Sequence, residues 1–560
     1  MIEQQQTAWW PGSLTMVLFL AFALMIALPL GLLPLDIVPL DQDPVGILQG
    51  LLADPSLHEV VLRTLGVALL ACATASIVAV PLALLATRGA TPTRWLIGAL
   101  GVMPLIIPAF LTAALARHLG IVVDPSTLAV PASASRHAGN AALLIMVFAV
   151  HYFPVILFSL MASLAKIDRS LEESARNLGA GTPAVWRRVI LPLAAPGYLM
   201  GVVLVLLRIL EDAATPLVLG VEDMLAPQLL LRLGQAEPSD PQLRIIAILL
   251  LLVSALFVAL AWSALRPRAV ETRICHPPQP ARWRSAVAST LLPIVPLLAL
   301  AVIALLPVVW LTLLGLGVNG PGTLPPGDGP LGDLAGVFHD QLPGLGTSVA
   351  YVGLSGALTG LVCWAFGAAS AIPGWPARVA HSLSTAMFAV PGVVLALAYL
   401  NLAARFGQPL GDTPGQAWLA LALVVALKQA PLAHRLLSWR VRELRPGGFE
   451  TAYQPGATRT LRWLRVTLPA LAGALGALFL LGAVAGLVEL SAALLLVRDP
   501  AAPYTVVLFN AIQSGSDPAY WAAQGAALVM AVGLAVAAAA ALFGGRSMFR
   551  PRQPISRDSR

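Results

Sequence analysis

Charged residues are scarce in this chain of 560 residues: they make up 11% of it, whereas hydrophobic residues make up 58%. Soluble globular domains carry about 25% charged residues. The mean hydropathy is +0.83, and apolar runs of twenty or more residues recur, which is the length a helix needs to cross a bilayer. The composition predicts an all-α polytopic membrane protein, and in such a chain the net charge of +7 does not indicate nucleic acid binding.

Lysine is nearly absent, since Lys166 and Lys428 are the only two in the sequence. A P-loop needs a Gly-Lys-Ser/Thr sequence to hold nucleotide phosphates. Lys166 follows an alanine and Lys428 follows a leucine, so the sequence contains no Walker A motif. We therefore expect that any ATP hydrolysis coupled to this chain occurs on a partner chain.

Cysteine is also rare, and Cys72, Cys275 and Cys363 match no CxxC spacing. We interpret all three as structural residues and expect no metal ligands and no cofactor. The sequence also lacks a Ser or Cys nucleophile motif and a metal-spaced His/Asp set. A membrane enzyme is therefore disfavoured.

Twelve apolar runs approach or exceed the length of about 20 residues that a membrane-spanning helix requires. The first is expected to be a retained helix, because no Lys or Arg precedes Arg63 and no small-residue cleavage site follows. The predicted spans are 13–35, 60–86, 94–116, 139–164, 194–220, 243–265, 287–315, 346–372, 378–403, 416–438, 470–497 and 519–544.

The basic residues predict the orientation, because cytoplasmic loops collect Lys and Arg. With the N-terminus inside, predicted cytoplasmic segments, one of which begins at Lys428, hold 26 of the 34 basic residues, so both termini are expected in the cytoplasm. A polar, proline-rich stretch near the middle predicts a boundary. The expected domains are a first membrane domain, a cytoplasmic linker, a second membrane domain and a cytoplasmic tail, at 1–265, 266–286, 287–545 and 546–560.

An internal repeat connects the two most basic loops. Glu173, Gly179 and Pro192 recur with identical spacing, and without a gap, as Glu450, Gly456 and Pro469. The same offset relates His151-Tyr152-Phe153-Pro154 to Lys428-Gln429-Ala430-Pro431, and upstream a slightly larger offset relates Pro108 to Pro391. Because each predicted half has an even number of spans, the halves are expected to be parallel six-helix repeats related by an axis along the membrane normal.

These loops resemble the EAA motif of the permeases of binding-protein-dependent ABC importers, in which E-A-A is followed by three residues, G, nine residues and I-x-L-P. The departures are Ser174 and Thr451 for the first Ala and Val189 and Val466 for Ile. Pro455, directly before Gly456, is a less usual residue. The alternative to this motif is that both segments are ordinary amphipathic cytoplasmic loops. The identical spacing of the two copies disfavours that alternative.

The resemblance implies a fused permease pair of the type I importer fold in a bacterial inner membrane. It implies docking to an ABC ATPase, expected in two copies, and delivery of substrate by a separate extracytoplasmic binding protein. Carried over by position, the ATPase-coupling residues are Glu173, Ala175, Gly179, Leu191 and Pro192 in one loop and Glu450, Ala452, Gly456, Leu468 and Pro469 in the other.

Ionisable residues inside predicted spans are candidates for function, because burying a charge in a bilayer is costly. Asp212 and Glu489 are repeat equivalents, expected at similar depth, and are candidate pathway residues that would suit a cationic substrate. The alternative is local pairing, since Arg208 lies four residues before Asp212 on the same helix face. His151 is interpreted as a packed residue. The prolines within predicted spans are interpreted as kinks: Pro108, Pro154, Pro216, Pro391 and Pro431.

The fused arrangement and the sequences that begin at Glu211 and Glu489 look most like the ferric iron permeases. Permeases for 2-aminoethylphosphonate and for thiamine are close alternatives. A secondary transporter is a further alternative, because it can also have six plus six spans, but it would require ion-coupling carboxylates near the midplane and would give no reason for two ATPase-docking loops.

Overall fold

The structure is a computed structural model that describes most of the chain with side chains. The described residues are 12–34, 55–88, 91–121, 138–234, 240–265, 286–316, 330–370, 372, 374–407, 413–443, 465, 468–497 and 502–544. Every regular element among them is a helix. The prediction of an all-α polytopic membrane protein is therefore confirmed.

The helices of the N-terminal half, residues 12–265, follow the apolar runs closely. They are α1 (Gly12–Leu32), α2 (Pro55–Arg88), α3 (Thr91–Ile106), α4 (Ala109–His118), α5 (Ala138–Leu164), α6 (Arg169–Asn177), α7 (Thr182–Val185), α8 (Leu191–Glu211), α9 (Ala214–Val218), α10 (Leu225–Leu233) and α11 (Pro241–Leu265). A π-helical turn at Trp186–Ile190 joins α7 to α8.

The helices of the C-terminal half, residues 286–544, repeat this order in its membrane-spanning part. They are α12 (Ala286–Gly315), α13 (Pro330–Ser370), α14 (Trp375–Ala386), α15 (Gly392–Arg405), α16 (Pro414–Glu443), α17 (Leu468–Val488), α18 (Ser491–Leu496), α19 (Tyr504–Gln513) and α20 (Pro518–Gly544). Helices α8 and α17 are related, at both ends, by the same offset as the two loops that precede them. The repeat seen in the loops therefore extends to the bounds of these helices.

The structure contains fewer candidate membrane spans than the twelve expected, when helices are judged by length and apolar composition alone. Among the described residues, nine helices are long and apolar enough to cross a membrane, or eleven if two bent pairs each count as one span. Helix α1 belongs to the shorter apolar helices, with Met16–Leu32 as its apolar stretch. The count of twelve therefore stays a prediction.

Four predicted spans are not straight, continuous helices. Helices α3 and α4 meet at 82°, and the α14 segment meets α15 at 105°. Pro108 and Pro391 occupy the N-cap positions of α4 and α15, where a proline cannot continue the preceding helix, so these two of the five predicted kinks are confirmed. Pro154 and Pro431, by contrast, lie inside α5 and α16, which continue through them. The predicted spans 194–220 and 470–497 end as helices at Glu211 and Val488 and resume at Ala214 and Ser491.

The first helix of the chain packs mainly on the other half. Helix α1 lies against α13 and α15. The ring of Phe19 meets that of Phe366 edge-on at a centroid distance of 5.3 Å, and the hydroxyl of Tyr399 donates a 2.7 Å hydrogen bond to the carbonyl of Met25. Helix α12, in turn, lies against α3 as well as α20. These contacts join both halves into one apolar core.

Candidate functional site

The first EAA-like loop folds as a helix with a cap at each end. Helix α6 begins after Asp168, whose carboxylate accepts a 2.8 Å hydrogen bond from the Ser170 amide. At its C-terminal end the Ala180 amide donates to the Ala175 carbonyl at 3.0 Å, and Gly179 has a φ of 87°. This is a Schellman ending, in which a glycine adopts the left-handed conformation without strain. The glycine of the motif therefore has a defined structural role.

The side chains of this loop divide into a face packed on the protein and a face open to a partner. Glu172 is buried, Glu173 is exposed, and Ala175 packs partly against the core. Leu178, which the motif does not select, is 89% exposed. The exposed face of this loop thus offers one large apolar side chain beside an exposed carboxylate.

The remaining coupling residues differ in their exposure, and some lie outside the described part of the chain. Leu191 is 57% exposed, and Pro192 is also exposed at the start of α8. In the second loop, Leu468 is half-buried and Pro469 exposed at the start of α17. Three residues of the second copy lie outside the described part of the chain: Glu450, Ala452 and Gly456.

A cluster of four charged side chains joins the two halves. The Glu211 carboxylate binds the Arg208 guanidinium at 2.8 Å and the Lys428 ammonium at 3.0 Å. The Lys428 ammonium also binds the Glu489 carboxylate at 2.8 Å. Lys428, from the C-terminal half, therefore lies between a carboxylate of its own half and one of the other half. We call these four residues the charged cluster.

The cluster lies where helices break. Glu211 ends α8 and also accepts a 3.3 Å hydrogen bond from the Gly392 amide, at the start of α15. Glu489 follows α17 and accepts a 3.2 Å hydrogen bond from the Ala492 amide in α18. Carboxylates at helix N-termini are stabilised by the free amides and the helix dipole. The two acids thus satisfy backbone groups that the breaks leave open.

Asp212 and Glu489 have matching backbone roles but different side-chain partners. Asp212 accepts a 3.0 Å bond from the Thr215 amide and a 2.6 Å bond from the Thr215 hydroxyl. In both halves the carboxylate therefore caps the amide three residues further on. The pairing of Arg208 with Asp212 that the sequence suggested is wrong, because Arg208 binds Glu211, three residues along the helix.

The charge count places Lys428 among the cytoplasmic basic residues, and this placement is also wrong. Lys428 lies about 21 Å from the start of α16, at 1.5 Å per residue in a helix of 30 residues, and its side chain is 8% exposed. The sequence contains one signal for it: Lys428 is the repeat equivalent of His151. His151 is buried, and its ring packs edge-on against Tyr152, which agrees with its interpretation as a packed residue.

Residues 76–271 match a protein family described as "Binding-protein-dependent transport system inner membrane component". That range holds α6, with its two caps, and the N-terminal contribution to the charged cluster. No solved structure gives a significant match to the chain.

Curated relatives match parts of the chain. The spermidine/putrescine transport system permease protein PotB of Escherichia coli (strain K12) is 30% identical over 166 residues, 28% of this chain and 58% of the relative. A probable molybdenum ABC transporter permease protein of Haloferax volcanii is 31% identical over 217 residues, 38% of this chain and 74% of the relative. The chain thus spans little more than half the length of the PotB relatives, and 56% of the one from Salmonella typhimurium strain LT2.

Proposed function

Because this chain belongs to the family of binding-protein-dependent transport system inner membrane components, we propose that it is the membrane-spanning permease of an ABC importer. A separate binding protein delivers substrate to the outer face. A separate ATPase docks on the cytoplasmic loops and drives the pathway between outward-open and inward-open states. The chain itself positions and releases substrate and forms no covalent bond.

The observation that carries this proposal is the geometry of α6. The helix is capped at both ends, it exposes Glu173 and Leu178, and it leads through Gly179 and the π-helical turn into α8. A rigid helix whose exposed face includes a large apolar side chain suits insertion into a groove of a partner. Because α8 continues from this element to Glu211, a movement of α6 has a direct helical route to the charged cluster.

The proposal includes a second docking element and a parallel arrangement of the halves. The sequence 450–469 repeats the spacing of 173–192, and α8 and α17, which follow the two loops, keep the same offset at both ends. We therefore place an ATPase on each loop, with the N-terminus, the 266–286 linker and the C-terminal tail in the cytoplasm. The domain bounds 1–265 and 287–545 belong to this proposal.

The substrate expectation changes with the charged cluster. Glu211, Asp212 and Glu489 each accept hydrogen bonds from described groups, so these acids have structural partners and do not by themselves indicate ferric iron. The relatives described above are named for spermidine and putrescine or for molybdenum, so they give the iron expectation no support. 2-Aminoethylphosphonate and thiamine likewise have no support from these names.

A secondary transporter is the second candidate, because Glu211 and Glu489, at the breaks after α8 and α17, pair with the buried Lys428, and an ion-coupled transporter would need buried carboxylates. The two candidates differ in their energy source. Collapse of the proton gradient at constant ATP would stop a secondary transporter, whereas ATP depletion at constant gradient would stop an importer.

The decisive experiment is affinity purification of the tagged chain from its native membrane in mild detergent, with mass spectrometry of the co-eluting proteins. We expect an ATPase with an intact P-loop in stoichiometric amount. The variant Leu178→Glu should reduce its recovery at least tenfold, since it places a charge on the proposed contact. Ile121→Glu is the matched control, because Ile121 is also an exposed apolar residue but follows α4. Recovery of the chain without an ATPase, or equal recovery from both variants, would contradict the proposal.

A further inference from the structure

The helices that follow the two EAA-like loops pack closest against different neighbours. Helix α8 places Gly197 and Gly201 against α5, and a Cβ atom at Gly201 would lie 2.8 Å from the Ile156 Cα. Helix α17 places Gly482 and Gly486 against α13, which by the repeat corresponds to α2 and not to α5. The two halves therefore anchor these helices differently, although α8 and α17 are repeat equivalents.

The contact of α8 with α5 is fastened by hydrogen bonds. The Ser159 hydroxyl donates a 2.7 Å bond to the Gly197 carbonyl, and the Ser163 hydroxyl donates a 3.2 Å bond to the Leu193 carbonyl. A shift of α8 along α5 would break both bonds, and a polar group without a partner costs free energy in a bilayer, which offers no water in its core. Helix α8 is therefore held in one position on α5.

The contact of α17 with α13 contains buried hydroxyls that make no hydrogen bond within the described part of the chain. They belong to Tyr351, Ser355 and Thr359, which follow one another at intervals of about one turn on one face of α13. The bare backbone of α17 faces them closely, since a Cβ atom at Gly486 would lie 2.8 Å from the Ser355 Oγ. A hydroxyl buried without a partner costs free energy, so these groups favour any other state in which they meet an acceptor.

The corresponding positions of α2 are filled differently. Ser76, the repeat equivalent of Thr359, donates a 2.7 Å hydrogen bond to the Cys72 carbonyl. Ala68 takes the place of Tyr351, so the N-terminal half has no hydroxyl at that position. The Tyr351 hydroxyl is thus particular to the C-terminal half.

The Glu489 carboxylate is an acceptor close to the Tyr351 hydroxyl. The Tyr351 oxygen lies 3.5 Å from the place that a Cβ atom would take at Gly486. Glu489 is three residues further along, and its amide still donates a helical hydrogen bond of 2.9 Å to the Ala485 carbonyl. Cβ atoms three residues apart on a helix are about 5–6 Å apart. A shift of α17 along α13 by about one turn therefore brings the carboxylate, which now binds Lys428, level with the hydroxyl.

We propose that Tyr351 is the second partner of Glu489 in the transport cycle. The inference rests on the proposed function, because an ATPase on the loop before α17 supplies the force that moves this helix. Helix α17 slides along α13, Glu489 leaves Lys428, and the Tyr351 hydroxyl donates a hydrogen bond to the carboxylate in its new position. Small sliding of packed helices is a common form of conformational change, and Lys428 keeps the carboxylate of Glu211. Tyr351 is thus a positioning residue that acts through Glu489.

The experiment uses the chain co-purified with its ATPase and reconstituted in lipid. It compares Tyr351→Phe with the matched variant Tyr399→Phe, because the Tyr399 hydroxyl donates a 2.7 Å hydrogen bond to the Met25 carbonyl. The thermal unfolding midpoint is measured without nucleotide and again after the complex has been trapped with ATP and vanadate. The rate of ATP hydrolysis is measured on the same preparations.

The two tyrosine variants should differ in the sign of their effect. Without nucleotide, Tyr351→Phe should leave the midpoint unchanged or raise it, because the lost hydroxyl has no partner in that state, whereas Tyr399→Phe should lower it. In the trapped complex Tyr351→Phe should lower the midpoint, and it should slow ATP hydrolysis at least fivefold. A purely structural role for Tyr351 predicts a lower midpoint in both states. That result, or a wild-type rate with a wild-type trapped midpoint, would overturn the inference.

A double variant tests whether Tyr351 acts through Glu489. Glu489→Ala removes the acceptor and leaves Lys428 paired with Glu211. Adding Tyr351→Phe to Glu489→Ala should then slow hydrolysis no further, because residues that act through one contact are not additive. A further fivefold loss in the double variant would show that Tyr351 acts elsewhere. Glu489→Leu, which fills the same space, replaces Glu489→Ala in this test if the alanine variant does not assemble.

Recovery of the ATPase separates this inference from the proposed function. Tyr351 lies at the contact of α13 with α17 and outside the docking loops, so Tyr351→Phe should co-purify with as much ATPase as the wild type. Recovery of the wild-type chain without an ATPase would contradict the proposed function and this inference with it. A complex that assembles and hydrolyses ATP equally with tyrosine or phenylalanine at this position would overturn this inference alone.

Discussion

The Lys428 ammonium donates a 2.8 Å hydrogen bond to the Glu489 carboxylate. The repeat-equivalent positions in the N-terminal half hold His151 and Asp212, and there the carboxylate binds the Thr215 hydroxyl instead. Lys428 also binds Glu211 from the other half. A lysine therefore stands where the other repeat has a histidine, and its charge connects the two halves.

Replacing Lys428 by Met should destabilise the folded chain. Glu489 would keep only its backbone contact and Glu211 would lose one of its two cations. Breaking a buried ion pair by removing one partner costs about 3–5 kcal/mol. The measurement is the thermal unfolding midpoint of the purified chain in detergent, with Lys166→Met as the control for loss of an exposed lysine. A further change, Glu489→Gln, should recover part of the loss, and a single variant as stable as the wild type would contradict the cluster.

Replacing Gly392 by Ala should displace Lys428. A Cβ atom at Gly392 would lie 2.7 Å from the Lys428 Nζ, closer than real Cβ atoms approach other heavy atoms. We expect a lower unfolding midpoint and slower uptake. Gly353→Ala is the control, since a Cβ there meets nothing within 4 Å and alanine favours a helix by about 1 kcal/mol over glycine. Equal behaviour of the two variants would show that Lys428 does not depend on the close approach of Gly392.

Changing both motif glycines to Asp, Gly179→Asp with Gly456→Asp, should abolish uptake while the chain stays inserted. The φ of 87° at Gly179 disfavours any side chain, and a new carboxylate enters the proposed contact with the ATPase. Membrane fractionation checks insertion, and labelled uptake checks function. Gly181→Asp separates added charge from backbone strain, because Gly181 has a φ of −67°. Normal uptake by the double variant would contradict the proposal that the two loops bind the ATPase.

The two repeat-equivalent acids should respond unequally to neutralisation. Asp212→Asn keeps an oxygen for the Thr215 groups, so we expect uptake within about twofold of wild type. Glu489→Gln removes the charge that Lys428 pairs with, and we expect at least a tenfold loss of uptake with the ATPase still bound. Single and double variants compared in one uptake assay test this order. The reverse order would mean that Asp212, and not the charged cluster, contributes to the pathway.

Part of this architecture could be predicted from the sequence because it depends on local patterns. The apolar runs predicted the long helices. Pro108 and Pro391 predicted the two bends, since a proline lacks the backbone N–H that continues a helix, although Pro154 and Pro431 lie inside helices that continue through them. The constant offset between the two loops reappears in the bounds of α8 and α17. The apolar and proline signals each lie within one segment of the chain, and the repeat requires only a comparison of two segments.

The charged cluster could not be predicted in the same way, because its partners are distant in the sequence. Glu211 and Lys428 belong to different halves of the chain and meet only after the halves pack. The i, i+4 rule favoured Arg208 with Asp212, but α8 ends at Glu211, so Asp212 leaves the helical register that the rule requires. Charge counting also placed Lys428 in the cytoplasm, although the predicted span 416–438 contains it, because a count of basic residues takes no account of tertiary pairing.

The packing of α1 on the C-terminal half has a consequence for biosynthesis. Phe19 meets Phe366, yet at about 5–20 residues per second the ribosome needs on the order of 20–70 s to make the chain between them. During that interval α1 is inserted without its final neighbours, and its apolar face is covered by lipid or by the insertion machinery. In a chain arrested at the linker, α1 would thus lack the helices of the C-terminal half against which it packs. Supplying residues 286–560 as a second polypeptide in the same membrane should rescue such an arrested half.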